Sequence, residues 1–281
     1  MKCHRVCLFP TGRLVPPFLL HEMEHLDQQP VVAILANLPP SRAANVGAAL
    51  LDAGVTIMEV PIRGDTVAAM ESVRVLSKYV GDRALVGAGT VLTVEQVDEV
   101  ARAGAKVVVS PNFDKAVVQR TVELGLVSIP GVFSPTEALA ALAAGAHMLK
   151  WFPTDGMPPK TLKALLAILP KAARVLAVGG VDKGNVGAWW QAGARGFGIG
   201  SAIWKPDMSD EQVRLHAKAF VAAVEAVCAT TTPAAAAPAT TIFHAAAARD
   251  AWIAGAIAGA IAGALASFIV CGLMTQQRGR W

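Results

Sequence analysis

The stretch TVEQVDEVARAGAKVVVS, Thr93–Ser110, contains one whole unit of the pattern on which the chain is built. Thr93 to Ala103 is long enough for a few helical turns, and Gly104 supplies the left-handed conformation that stops a helix. Lys106 to Ser110 follows as a short β-branched run, the composition of a buried strand. Outward from this unit, the closing phrase Arg102-Ala103-Gly104 has counterparts at Asp52-Ala53-Gly54, Glu123-Leu124-Gly125, Ala143-Ala144-Gly145 and Gln191-Ala192-Gly193. Eight strand-like runs can be counted: Val31 to Ala36, Val55 to Val60, Ala84 to Val86, Lys106 to Ser110, Leu126 to Pro130, Met148 to Phe152, Val175 to Val178 and Gly196 to Ile199. Stretches of helical period, such as Ser41 to Ala53, Asp114 to Leu124 and Thr136 to Ala144, lie between them. Alternation of this kind predicts repeated βα units and a parallel sheet. An open doubly wound sheet would alternate too, but it usually carries a glycine-rich dinucleotide fingerprint after its first strand, and Asn37-Leu38-Pro39-Pro40 is nothing of the kind. Eight units in roughly 200 residues suit an α/β fold of the (β/α)8 TIM barrel type.

The barrel expected over residues 31–228 has unlike neighbours. Residues 1–30 read as an irregular N-terminal arm, and within residues 1–20 Arg13 and three prolines break up any apolar core of a secretory signal. Residues 229–250 are mostly Thr, Ala and Pro, a linker composition. Residues 251–281 form an apolar segment, and Ala251 through Met274 hold no charge over 24 positions, enough to span a membrane. Gly255, Gly259 and Gly263 recur every fourth residue there, leaving one smooth helical face suited to close association in lipid. An Ala-rich helix that docks on the barrel or on a neighbouring subunit, or an appendage with no role, is the competing reading of that segment.

With 281 residues, 54% of them hydrophobic and 16% charged, the chain can bury a sizeable core. A net charge of +4 with scattered Lys and Arg argues against nucleic acid and for small anionic metabolites. Four dispersed cysteines, Cys3, Cys7, Cys228 and Cys271, suggest a reducing, cytoplasmic setting rather than a disulfide framework. His21-Glu22-Met23-Glu24-His25 matches a zinc signature but lacks a clear third ligand, so it is read as accidental, and no metal or cofactor is expected.

Barrel chemistry sits at the C-terminal ends of strands. Alternation in the second run points Glu59 the same way as Ile57, into the barrel. In the sixth run it sends Met148, Lys150 and Phe152 inward and leaves Leu149 and Trp151 against the helices. A buried, unpaired lysine loses its charge readily, and an uncharged amine is a nucleophile. The plain alternative is a buried Glu59–Lys150 ion pair, or a shift of one residue that turns both outward. Gly87-Ala88-Gly89-Thr90 would let backbone amides and the Thr90 hydroxyl approach a carboxylate. Gly179-Gly180 and Gly200-Ser201 follow the last two strands, where barrels commonly bind phosphate through backbone amides.

Taken in order, Val32-Ala33-Ile34-Leu35, Met58-Glu59-Val60-Pro61, Val86 to Leu92, Ser110-Pro111-Asn112, Ile129-Pro130-Gly131, Leu149 to Pro153 and Ala177 to Val181 resemble the 2-keto-3-deoxy-6-phosphogluconate and 4-hydroxy-2-oxoglutarate aldolases. The long run from Gly87 favours the phosphogalactonate branch. The resemblance implies a class I aldolase and a phosphorylated keto sugar acid as substrate. Lys150 is then the Schiff-base lysine, Glu59 the general acid/base, Thr90 the contact for the pyruvyl carboxylate, and the glycine loops the phosphate site. Pro130 and Phe152 are expected to form an apolar wall around the amine. A homotrimer is a further implication. One departure stands out: the phosphogalactonate branch usually carries Arg-Gly after the first strand, where this chain has Ala36-Asn37. Arg63, four residues after Glu59, is the candidate to replace the missing charge. A phosphate-binding isomerase and a catalytically idle barrel tethered by its tail are the competing functions.

Overall fold

The computed structural model describes residues 30–230. The zinc-like signature, the N-terminal arm and the apolar segment 251–274 lie outside them, as does the linker beyond residue 230. Among the described residues, no group of His, Cys, Asp and Glu could hold a metal ion. No helix among them is long and apolar enough to cross a membrane.

All eight expected strands form, with ends moved by a residue or a few: β1 Val31–Ile34, β2 Ile57–Pro61, β3 Leu85–Gly89, β4 Val107–Val109, β5 Val127–Ile129, β7 Leu149–Trp151, β8 Val175–Val178 and β9 Gly196–Ile199. The additional β6, Gly131–Val132, is the continuation of β5 beyond Pro130. Proline has no N–H to give to a ladder, so it interrupts the strand without ending it. Every pairing is parallel, in the order β5-β4-β3-β2-β1-β9-β8-β7-β6. The ends of that list, β5 and β6, are two halves of one barrel strand, so the sheet closes on itself. Backbone bonds stitch the seam, among them His147 N–H donating to the Ser128 carbonyl at 3.0 Å, Lys150 N–H to the Pro130 carbonyl at 2.9 Å and Phe152 N–H to the Val132 carbonyl at 3.3 Å.

Helices cover the outside: α1 Pro40–Asp52, α2 Thr66–Val80, α3 Val94–Arg102, α4 Lys115–Glu123, α5 Pro135–Ala144, α6 Lys160–Leu166, α7 Val186–Ala192 and α8 Asp210–Thr230. Their ends follow local chemistry. The Thr93 hydroxyl accepts from Gln96 N–H while Gln96 reaches back to Thr93 N–H, a capping box that starts α3. Gly54, Gly104, Gly125, Gly145 and Gly193 all have positive φ, as the recurrent closing phrase requires.

Two apolar layers result from strand alternation. Leu149 and Trp151 join the layer between sheet and helices, while Ile57, Val107, Val109, Ile129, Met148, Leu176 and Val178 fill the barrel interior, with Phe152 at its edge. Lys150, between Leu149 and Trp151, therefore enters an interior made of aliphatic side chains.

Candidate active site

Glu59 and Lys150 line one cavity of about 10 Å³ near the top of the barrel interior, with Val32, Ile34, Val109, Ile129, Leu176, Val178 and Gly198 around them. Only 2% of Glu59 and 8% of Lys150 is exposed. The two residues come from β2 and β7, ninety-one positions apart, and only closure of the barrel brings them together.

Burial among aliphatic groups decides their protonation. Desolvation raises the Glu59 carboxyl from 4.5 to about 7, although the nearby Lys150 and Arg63 cations oppose it. The Lys150 amine is lowered, first by desolvation, with Glu59 pulling the other way and Arg63 adding to the fall. Glu59 thus titrates near neutrality beside an amine pushed toward its uncharged form. Glu59 Oε2 has no hydrogen-bond partner in the protein. Lys150 Nζ lies 4.7 Å from the centroid of the Phe152 ring. Phe152 is an apolar wall on one side, and its ring face also favours positive charge at that nitrogen. Pro130 meets Lys150 through its backbone carbonyl.

The Gly87-Ala88-Gly89-Thr90 segment is built for packing more than for substrate access. A Cβ at Gly87 would stand 2.3 Å from the Val107 carbonyl oxygen, and one at Gly89 would stand 1.7 Å from Glu59 Oε2. These glycines let β3 approach β4 and give the Glu59 carboxylate its seat. Thr90 holds φ +59, a left-handed conformation rare for a β-branched residue, at the C-terminal end of β3.

Above the cavity lies a wider one of about 240 Å³, sharing Ile34, Val178 and Gly198 and adding Phe152, Gly179, Gly180, Gly200 and Ser201. Gly179 and Gly180 have φ of +112 and +63. Side chains would not fit there: a Cβ on Gly180 would come 2.8 Å from Asp155 Oδ1. Thr154 Oγ1 donates to the Gly179 carbonyl, and Asn185 Nδ2 to the Gly180 carbonyl at 2.7 Å. Thr154 and Asn185 were not among the residues singled out by sequence; their signal, a polar residue just beyond a strand or a Gly-Gly turn, is too common to stand out. Arg63 is exposed just past β2, yet its charge reaches both Glu59 and Lys150. After β1, Ala36 offers no cation, and Asn37 takes φ +56, a conformation that Asn tolerates better than most residues.

A closed parallel barrel whose interior brings a desolvated amine beside a buried carboxyl has the groups that carbon–carbon lyases of the aldolase type require. The comparisons narrow that class. Residues 23–221 match the model of the aldolase family described as KDPG and KHG aldolase. A probable 2-dehydro-3-deoxy-6-phosphogalactonate aldolase of Rhizobium meliloti is 42% identical over 200 residues, 71% of this chain and 93% of that one. The 2-dehydro-3-deoxy-6-phosphogalactonate aldolase of Escherichia coli is 41% identical over 202 residues, 72% of this chain and 97% of its own. Among solved structures, one described as native KDPGal superposes with a TM-score of 0.69 at 40% identity, covering 71% of this chain and 96% of that chain. The chain belongs to the KDPG and KHG aldolase family.

Proposed function

We propose that this enzyme cleaves 2-dehydro-3-deoxy-6-phosphogalactonate to pyruvate and D-glyceraldehyde 3-phosphate through a Schiff base on Lys150. The observation that carries the reading is the shared apolar cavity of Lys150 and Glu59, in which the amine is driven toward its nucleophilic form and the carboxyl toward neutrality. The uncharged amine attacks the C2 ketone, and the carbinolamine loses water to give an iminium. Removal of the C4 hydroxyl proton then breaks the C3–C4 bond. Its electron pair flows toward the iminium, which becomes the enamine of pyruvate as the aldehyde leaves. Protonation at C3 and hydrolysis of the resulting iminium release pyruvate and restore the amine.

Glu59 carries the protons in these steps, accepting from the C4 hydroxyl and returning to C3, through a water for which the small cavity has about the right volume. The Phe152 face stabilises the cationic iminium. The substrate lies with its keto acid end deep in the barrel, its carboxylate met by Thr90 and Arg63, and its phosphate among the amides of Gly179, Gly180, Gly200 and Ser201. Arg63 takes over the carboxylate contact because Ala36 carries no charge.

The test of the mechanism is borohydride trapping. Wild-type protein incubated with pyruvate and borohydride gains a stable adduct, and Lys150→Ala does not; equal trapping in the variant removes Lys150 from the chemistry. Parallel assays with the phosphogalactonate- and phosphogluconate-derived keto acids test the substrate, and a higher kcat/KM for the latter overturns the branch. A homotrimer in the cytoplasm is the assembly that accords with this reading, and light scattering of the full chain checks its mass. Membrane fractionation with and without residues 251–274 decides whether the apolar segment anchors it.

A further inference from the structure

We propose that Trp204 is a positioning residue that fixes the phosphate end of the substrate pocket, by tying the loop after β9, which carries Gly200 and Ser201, to the loop after β1. The indole Nε1–H donates to the Ala36 carbonyl at 2.9 Å, across 168 positions of sequence. Trp204 is 2% exposed, so this bond satisfies a donor that would otherwise be buried without a partner. On its own side of the link, Trp204 N–H and Ile203 N–H both donate to the Gly200 carbonyl at 3.0 Å. The tryptophan backbone thereby holds the turn that presents Gly200 and Ser201. On the other side, the bond fixes the carbonyl just ahead of Asn37, in the turn closed by Leu38 N–H donating to the Leu35 carbonyl at 3.3 Å.

Arg42, at the start of α1, holds the tryptophan in place. Its guanidinium carbon lies 5.1 Å from the centroid of the indole ring. The same group donates to the Pro206 carbonyl at 2.9 Å and pairs with Asp210 at the start of α8. Ala36, Trp204, Arg42, Pro206 and Asp210 make one chain of contacts spanning both loops. The strands beneath are neighbours, with Ala33 in register with Ile199. Beyond the strand ends, this chain of contacts links the two loops by hydrogen bonds, an ion pair and a cation–ring contact. Its loss leaves the Lys150–Glu59 pair on β7 and β2 intact and loosens the amides of Gly200 and Ser201 relative to the rest of the pocket.

The inference rests on the aldolase reading above, and its test separates the two. The full-length protein is assayed in the condensation direction, with saturating pyruvate and either glyceraldehyde 3-phosphate or unphosphorylated glyceraldehyde as acceptor. Trp204→Phe keeps an aromatic ring and deletes the N–H donor. KM for glyceraldehyde 3-phosphate is expected to rise about fivefold, the value of one ordinary hydrogen bond. KM for glyceraldehyde, kcat and pyruvate trapping are expected to stay within twofold of wild type. Arg42→Met, which keeps an alkyl stem on the ring and removes the charge, should shift the same KM selectively, and it carries the test if Trp204→Phe does not fold. An equal rise for both aldehydes, a fall in trapping, or no change in KM overturns the proposal alone. Wild-type protein that never traps pyruvate overturns the aldolase reading, and this proposal with it.

Discussion

Alanine at position 89 adds one methyl group at the point where the structure leaves the least room. Gly89 ends β3 in ordinary strand conformation, so the backbone accepts alanine, and the obstacle is the Glu59 carboxylate. The new Cβ would lie 1.7 Å from Oε2, 2.5 Å from Cδ and 2.8 Å from Oε1. To restore normal contact the carboxylate must retreat by about 1.5 Å, given the steep repulsion inside van der Waals distance. A misplacement of roughly 1 Å in a catalytic group costs about 100-fold in rate. Gly89→Ala is therefore expected to lower kcat/KM by about two orders of magnitude. Crowding a packed interior costs about 1–3 kcal/mol, which lowers the melting temperature by roughly 2–10 °C. Pyruvate release coupled to lactate dehydrogenase measures the first effect, and a thermal melt the second. The clash disappears if the carboxylate is removed, so Gly89→Ala placed on Glu59→Ala should cost little further activity. Gly89→Ala activity within threefold of wild type, or a fully additive double variant, would refute the argument.

Two further predictions concern pH. The Glu59 carboxyl is raised from 4.5 to about 7, so the folded state holds its proton longer than the unfolded chain, and its contribution falls as pH rises from 4.5 through 7. Glu59→Gln removes that loss and is expected to stabilise the fold by up to about 3 kcal/mol at pH 8 while abolishing most turnover; denaturant titrations at pH 5 and pH 8 that show no difference in the gain would contradict it. His147 is the opposite case. Its Nδ1 accepts from Ser128 N–H at 3.0 Å and burial lowers its pKa from 6.5 to about 4, so the stability it preserves above pH 6.5 is lost as pH falls through 4. The loss amounts to about 3 kcal/mol. His147→Gln should flatten this limb of the stability profile, and an unchanged profile would show that the acid sensitivity lies elsewhere.

Sequence alone determined the features that depend on near neighbours. Gly104 and its four counterparts mark helix ends because the left-handed C′ conformation is a local requirement. The period of two placed Lys150 inside with Met148 and left Leu149 and Trp151 outside, as the two core layers show. Tertiary structure decided what depends on residues far apart in the chain. Closure at Pro130, the seat that Gly89 gives Glu59, and the Trp204–Ala36 bond all join segments that local patterns treat separately. The protonation states belong to the same group. Val32, Ile129 and Leu176, from three different strands, remove the water around Glu59 and Lys150, and that desolvation exists only once the barrel has closed.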